Sequence, residues 1–342
     1  MLRLISKAPL LVLLGTLASP VSAQFKSPAG ALLPAHLAVI VNDADPDSVA
    51  VGEFYCEARG IPQANLIHVS IPGKPQRLDA AQFAKLRERI DRQLPPGIEA
   101  VVMVWTAPYA VECNSITAAY TLGFDAAQCR NSCAAGKPSP YFNVPPGLPF
   151  TTYNTRISML LPTESVSEAK ALIGRGMASG FKTQPGSAYY LITSQTPRNA
   201  RAHLYPPNVR IASKQVVTRT LRADALDGAQ DVMVYQTGMS KVDKLGTLRF
   251  LPGALADHLT SFGGDLLASR KMSSLRWLEA GATASYGTVS EPCNHWPKFP
   301  HPTVLLKNYL KGATAIEAYW RSVAWPGQGV FIGEPLAAPY RR

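Results

Sequence analysis

The chain has 342 residues, 46% of them hydrophobic and 17% charged, with a formal net charge of +11. That length exceeds one small core, and the composition is globular rather than disordered or collagenous. The basic excess is spread along the chain without a motif of interleaved aromatics, which argues against nucleic acid as a partner and leaves a solvated basic surface.

Residues 1–23 read as a secretory signal. Arg3 and Lys7 give the charged start, residues 10–17 the apolar run, and Val21-Ser22-Ala23 the small-residue cleavage site before Gln24. The run is too short to cross a bilayer, and no later run is long enough. No Cys follows the cleavage site, so a lipid anchor is not expected. The mature chain is expected in the periplasm or outside the cell, without a stable membrane span.

Apolar runs then alternate with amphipathic stretches. Strands are expected at 36–42, 66–71 and 98–106. Between them lie a helix capped by Asp45-Pro46 and stopped at Gly60, and a helix begun by Asp79. Residues 107–155 form a long irregular segment with three cysteines and six prolines. A strand at 157–161 follows, then a helix behind the capping box Ser165-Val166-Ser167-Glu168. The second half repeats the pattern: strands at 188–193, 231–236, 254–260, 282–289 and 329–332. Helices are expected at 198–205, after Ser273 or Ser274, and behind Thr314-Ala315-Ile316-Glu317. Residues 210–218 stay unassigned. The alternation implies an α/β protein with mainly parallel sheets covered by helices. Two side-by-side domains are expected, 24–185 and 186–342, with the boundary near 183–186.

Five cysteines survive signal cleavage: Cys56, Cys113, Cys129, Cys133 and Cys293. Export permits disulfides. Cys129–Cys133 is close enough in sequence to bridge, and Cys113 and Cys293 each sit beyond an apolar strand, so these two pairings are expected. Cys56 falls on a helix stripe and reads as a buried thiol. Zinc held by Cys113, Cys129, Cys133 and Cys293 or His295 lacks a tight paired-cysteine motif, so no metal is expected. No dinucleotide or phosphate-loop fingerprint is present, and no cofactor is expected.

In open α/β sheets ligands bind beyond the carboxyl ends of the strands. Two loops there carry reactive side chains. Thr260-Ser261-Phe262-Gly263-Gly264-Asp265 offers Ser261 and Asp265, without a nucleophile-elbow sequence. Ser290 to His295 offers Cys293 with His295, or with His301 further on, as a thiol and base. His258 lies in an apolar strand, where a core role is the plainer reading. Strand alternation puts it on the opposite face from Leu259 and Ser261, out of reach of the serine.

Two resemblances follow. The runs IVNDADPDSVAVGEFY, VWTAPYAVECNSITAAYTLGFD, DKLGTLRFLPGALADHLTSFGGDLL, SSLRWLEAGATASYGTVSEPCN and AYWRSVAWPGQGVFIGEPLAAP resemble a family of exported bacterial proteins that co-occur with exosortase, a membrane sorting system. That resemblance implies an association with surface sorting and no particular reaction. The C-terminal half also resembles the gingipain branch of the caspase-like fold. Tyr235-Gln236-Thr237-Gly238 matches the family's histidine site without its His, and Thr260–Asp265 matches the cysteine site without its Cys. Ala280-Gly281-Ala282 and Gly333-Glu334-Pro335 match the later strands. This implies a caspase-like second domain whose dyad is missing and whose Thr237, Gly238, Ser261 and Gly264 line one cleft. The expected function is binding of a peptide or glycan. The rival is a hydrolase using Cys293 with His295, or Ser261 with Asp265.

Overall fold

The computed structural model describes residue 2 and residues 30–180, 184–267 and 271–341. The expected signal at 1–23 lies outside the described residues, apart from residue 2, and so does part of the expected boundary at 183–186.

The elements run β1 (Leu37–Asn42), α1 (Pro46–Arg59), β2 (Leu66–Val69), β3 (Arg77–Leu78), α2 (Ala80–Gln93) and β4 (Ala100–Val104). Within the long Cys/Pro-rich segment come β5 (Ala110–Val111), β6 (Asn114–Ser115), α3 (Ile116–Leu122), α4 (Ala126–Arg130) and α5 (Pro149–Tyr153). Then follow β7 (Ile157–Leu160), α6 (Val166–Ala178), β8 (Gly186–Ile192), β9 (Arg210–Ile211), β10 (Val216–Arg222), β11 (Val232–Thr237) and β12 (Phe250–His258). The chain finishes with α7 (Leu275–Glu279), β13 (Ala284–Thr288), α8 (Pro302–Leu310), α9 (Ala315–Ser322) and β14 (Gly329–Gly333).

The caps are the ones the sequence announces. Asp45 accepts from the Asp47 amide, and Gly60 closes α1 in the left-handed region at φ 62°. Thr314 and Glu317 close a reciprocal capping box on α9. The expected helix at 198–205 is instead two 3-10 turns, Thr196–Asn199 and Ala202–Leu204. Pro197 fits a first turn but lacks an amide, and between the turns the Arg201 side chain is drawn into the core.

Eleven strands form one sheet in the order β2-β1-β4-β7-β14-β13-β12-β11-β8-β10-β9. Pairings are parallel except β13 with β14 and β10 with β9. The architecture is therefore α/β with a large, mostly parallel sheet flanked by helices, as expected. The expected pair of sheets is one continuous sheet, because β14 pairs antiparallel with β13 and parallel with β7, at Ile332↔Leu160. A small second sheet, β3-β5-β6, is built from the first half of the chain. The main strands are apolar on both sides, as burial on two faces requires. Adjacent residues of β8 go to different core clusters, Tyr190 to one that runs through the whole sheet and Tyr189 to one confined to residues 189–282.

Candidate functional site

At the carboxyl ends of β8, β11 and β12 the register sets Tyr190 beside Gln236 and Gln236 beside Asp257. The Gln236 amide donates to Asp257 Oδ2 at 2.8 Å. Arg201, the residue that precedes the second 3-10 turn, enters here, 1% exposed. Its Nη2 pairs with Asp257 Oδ1 and donates to the Thr237 carbonyl at 3.0 Å, while Nη1 donates to the Pro300 carbonyl at 3.1 Å. Burial pushes the Asp257 carboxyl up and the guanidinium pulls it back. This polar core lies where an open sheet would present a ligand site. It is instead plugged from above by Arg201.

The other face of β12 carries His258, fully buried. Trp277 Nε1 donates to its Nδ1 at 2.9 Å, and its Nε2 lies 3.2 Å from the Met272 carbonyl. Both ring nitrogens are therefore occupied, in a neutral ring protonated at Nε2. Burial pushes its pKa down to about 3, and the hydrogen bond to Met272 opposes this. It is a core histidine.

Thr237, Gly238, Ser261 and Gly264 are all buried, so these neighbouring strand ends are packed rather than open. A Cβ on Gly238 would lie 2.0 Å from the Arg198 carbonyl, and one on Gly264 would lie 2.3 Å from the Gly287 carbonyl. Glycine at both positions lets main chain press against main chain, which fills the space a substrate would take. Asp265 does not join Ser261. Its Oδ1 accepts from the Tyr109 hydroxyl and, at 3.0 Å, from Arg77. Arg77 also donates to the carbonyls of Glu112 and Val289, at 2.8 and 2.9 Å. Asp265 thus ties the small sheet to the turn after β12. Burial, then the bond to Asp265, pushes the Tyr109 hydroxyl up.

Beyond β13 the cysteines pair as Cys113–Cys129 and Cys133–Cys293. This corrects both expected pairings. The Asn114 side chain holds Asp125, accepting its amide at 2.6 Å and donating to its carbonyl at 3.3 Å, which starts α4 beside Cys113 and delivers Cys129 to it. The chain then turns, and Cys133 reaches across to the loop after β13. A sulfur in a disulfide offers no thiolate, so neither zinc ligation nor a Cys293 nucleophile is open in this state. His295 is exposed, with its ring 6.3 Å from that of Trp325. Among the described residues no group of three or more His, Cys, Asp or Glu side chains is placed to hold a metal. Cys56 is a buried free thiol, pushed up to about 11 chiefly by burial.

Lys298, 1% exposed, donates to the Ser132 carbonyl and so pins the same loop to the segment carrying Cys133. Burial pushes its amine down to about 8, and Glu291 opposes this. The sequence reading missed Lys298 and Arg201, since nothing local separates them from surface cations. Gln236 and Asp257 did leave a signal, as polar residues inside apolar strand runs.

Next to the packed strand ends a groove of about 800 Å³ runs between the loop after β11 and the segment leading into α7. It is lined by Lys241, Lys244, Lys271 and Arg276, by the carboxylates of Glu164, Asp243 and Glu279, and by Val242, Leu245, Leu266, Leu267 and Met272. Leu267 and, nearby, Phe262 are each 38% exposed.

No family model matches the chain, and no curated protein does. Among solved structures it is similar to the Arg-specific cysteine proteinase gingipain R, at 11% identity and a TM-score of 0.48, over 89% of this chain and 78% of that one. It is also similar to the complex of pro- and mature domains of Porphyromonas gingivalis RgpB, at 9% identity and 0.45, over 89% and 79%. A structure described as a protease matches at 9% identity and 0.46, over 90% and 79%. With identities this low, the chemistry has to be read from this chain's own residues.

Among the described residues no helix is long and apolar enough to cross a membrane.

Proposed function

We propose that the protein is an exported binding protein without peptidase chemistry, which holds an extended peptide in the groove beside its strand ends. The carrying observation is the filled site. Arg201 occupies the ends of β11 and β12, both nitrogens of His258 are taken, and Asp265 is bonded to Tyr109 and Arg77 rather than to Ser261. Hydrolysis needs a nucleophile with a base in reach and room for the acyl group. The groove supplies the complementary feature: Lys241, Lys244 and Arg276 are paired with Asp243, Asp227 and Glu279, which leaves Lys271 beside the apolar side chains as the cation without an ion pair among the described residues, and this suits a largely apolar segment with an acidic side chain opposite Lys271. Exosortase-type surface sorting is the setting we propose for this role, on the association that the resemblance of the runs quoted above implies.

Fluorescence anisotropy with labelled peptides tests the reading. Acidic-apolar peptides are expected to bind intact, and Lys271→Glu is expected to weaken them about tenfold. Preference for basic peptides overturns the reading. So does peptide cleavage that disappears in Ser261→Ala, which would restore a hydrolase.

A further inference from the structure

We infer that a small cavity beside α9 binds a small oxyanion, the group presented by a phosphate, a sulfate or a carboxylate. The cavity has a volume of about 50 Å³ and is far from the groove's residues in sequence, bordered by Gly30, Lys311, Gly312, Glu317, Arg321 and Arg341. One water needs about 10–15 Å³ of such space, so the cavity has room for a larger occupant.

Among the described residues the charge around it is unbalanced: three cations, Lys311, Arg321 and Arg341, face one carboxylate, Glu317. Glu317 is already engaged, since its Oε2 accepts from the Thr314 amide at 2.9 Å and the Thr314 hydroxyl at 2.8 Å. It meets the guanidiniums only at long range, 3.5 Å to Arg321 and 3.4 Å to Arg341. A charge-assisted pair in full contact lies at about 2.7–2.9 Å. Arg321 is 2% exposed, and its Nε has no hydrogen-bond partner among the described residues. Its Nη2 reaches the Gly147 carbonyl at 3.2 Å, and the guanidinium lies over the Tyr141 ring at 4.9 Å. Arg341 donates to the Gly312 and Leu32 carbonyls at 3.1 and 2.7 Å. Carbonyls and a ring hold these guanidiniums in place without neutralising them. A buried charge calls for a counter-charge, and an oxyanion in the cavity supplies one where a water would not.

The test is isothermal titration of the full chain with inorganic phosphate, sulfate and acetate, in chloride buffers of matched ionic strength. At least one is expected to give saturable, single-site binding. Acetate alone would identify a carboxylate site, and phosphate or sulfate alone a tetrahedral one. Lys311 is exposed, so Lys311→Glu leaves the fold intact, and it is expected to weaken binding about tenfold. Arg321→Gln, checked for folding by circular dichroism, is expected to weaken it further. No saturable binding of any of the three anions overturns the proposal. So does binding that Lys311→Glu leaves unchanged.

Discussion

The carboxyl edge of the main sheet is closed in two different ways. At β11 and β12 it is sealed by packing and buried charge: Arg201 on Asp257, Gln236 beside them, and His258 against Trp277 on the other face. Beyond β13 it is sealed covalently, by Cys133–Cys293 with Cys113–Cys129 alongside, and Cys133 is exposed. The first closure depends on dryness, because a pair sealed from water is costly to break from one side. The second depends on an oxidising compartment. One edge thus carries a closure that follows pH and a closure that follows redox state.

The largest expected effect strikes the packed closure. Asp257→Ala strands the Arg201 charge in the interior and is expected to cost about 3–5 kcal/mol in urea denaturation. A loss below about 1 kcal/mol would mean water already reaches the pair, and the contrast between the two closures would fall.

The covalent closure is probed by paired variants. Cys133 and Cys293 enclose a sequence separation of 160, against 16 for Cys113 and Cys129. The chain-entropy model then predicts that replacing the first pair by serine costs about 2 kcal/mol more than replacing the second. Equal losses would show that the staples act locally and not by restricting the unfolded chain.

His258 sharpens the pH side. Its folded pKa, about 3, lies below the ordinary histidine value of about 6.5. The unfolded chain therefore binds the proton first, so the stability this group contributes is full above pH 6.5 and is lost as pH falls from there towards 3. Between pH 7.5 and 5.0 that loss is about 2 kcal/mol. The amide introduced by His258→Gln does not titrate, so the variant's stability is expected to fall by that much less over the same interval. An unchanged slope would place a charged or solvated imidazole there.

The smallest effect expected is at Ser261. Ser261→Ala should move stability by about 0.5 kcal/mol or less. A larger loss, read by the same denaturation curves, would reveal a buried hydrogen bond at the hydroxyl.

The strands and caps were legible because their physics is local. Residues 37–42 and 100–104 are apolar almost without interruption, and Asp45, Ser165 and Thr314 announce helices by side chains that bond within three residues. Strand β10 was not legible. Val216–Arg222 alternates with Thr and Arg because it lies near the sheet's margin, where only part of its surface is covered. Cysteine pairing was misread because sequence distance favoured Cys129–Cys133, whereas Asn114 decides which sulfur meets Cys113. The packed strand ends escaped for a similar reason. Thr237, Gly238, Ser261 and Gly264 were read from their own loops, but what fills the space above them is Arg198 and Arg201, from a segment that had read as an ordinary helix.

Strand β14 has a consequence for how the chain acquires its shape. Residues 329–333 complete the sheet between β7 and β13, so two strand margins wait for a partner that is synthesised after the sheet's other ten strands. A chain delivered amino terminus first carries those margins unpaired through most of its delivery, and unpaired margins invite association with other chains. Maturation is therefore gated by the arrival of one short late segment. Any condition that delays it extends the period in which the protein is most vulnerable to aggregation.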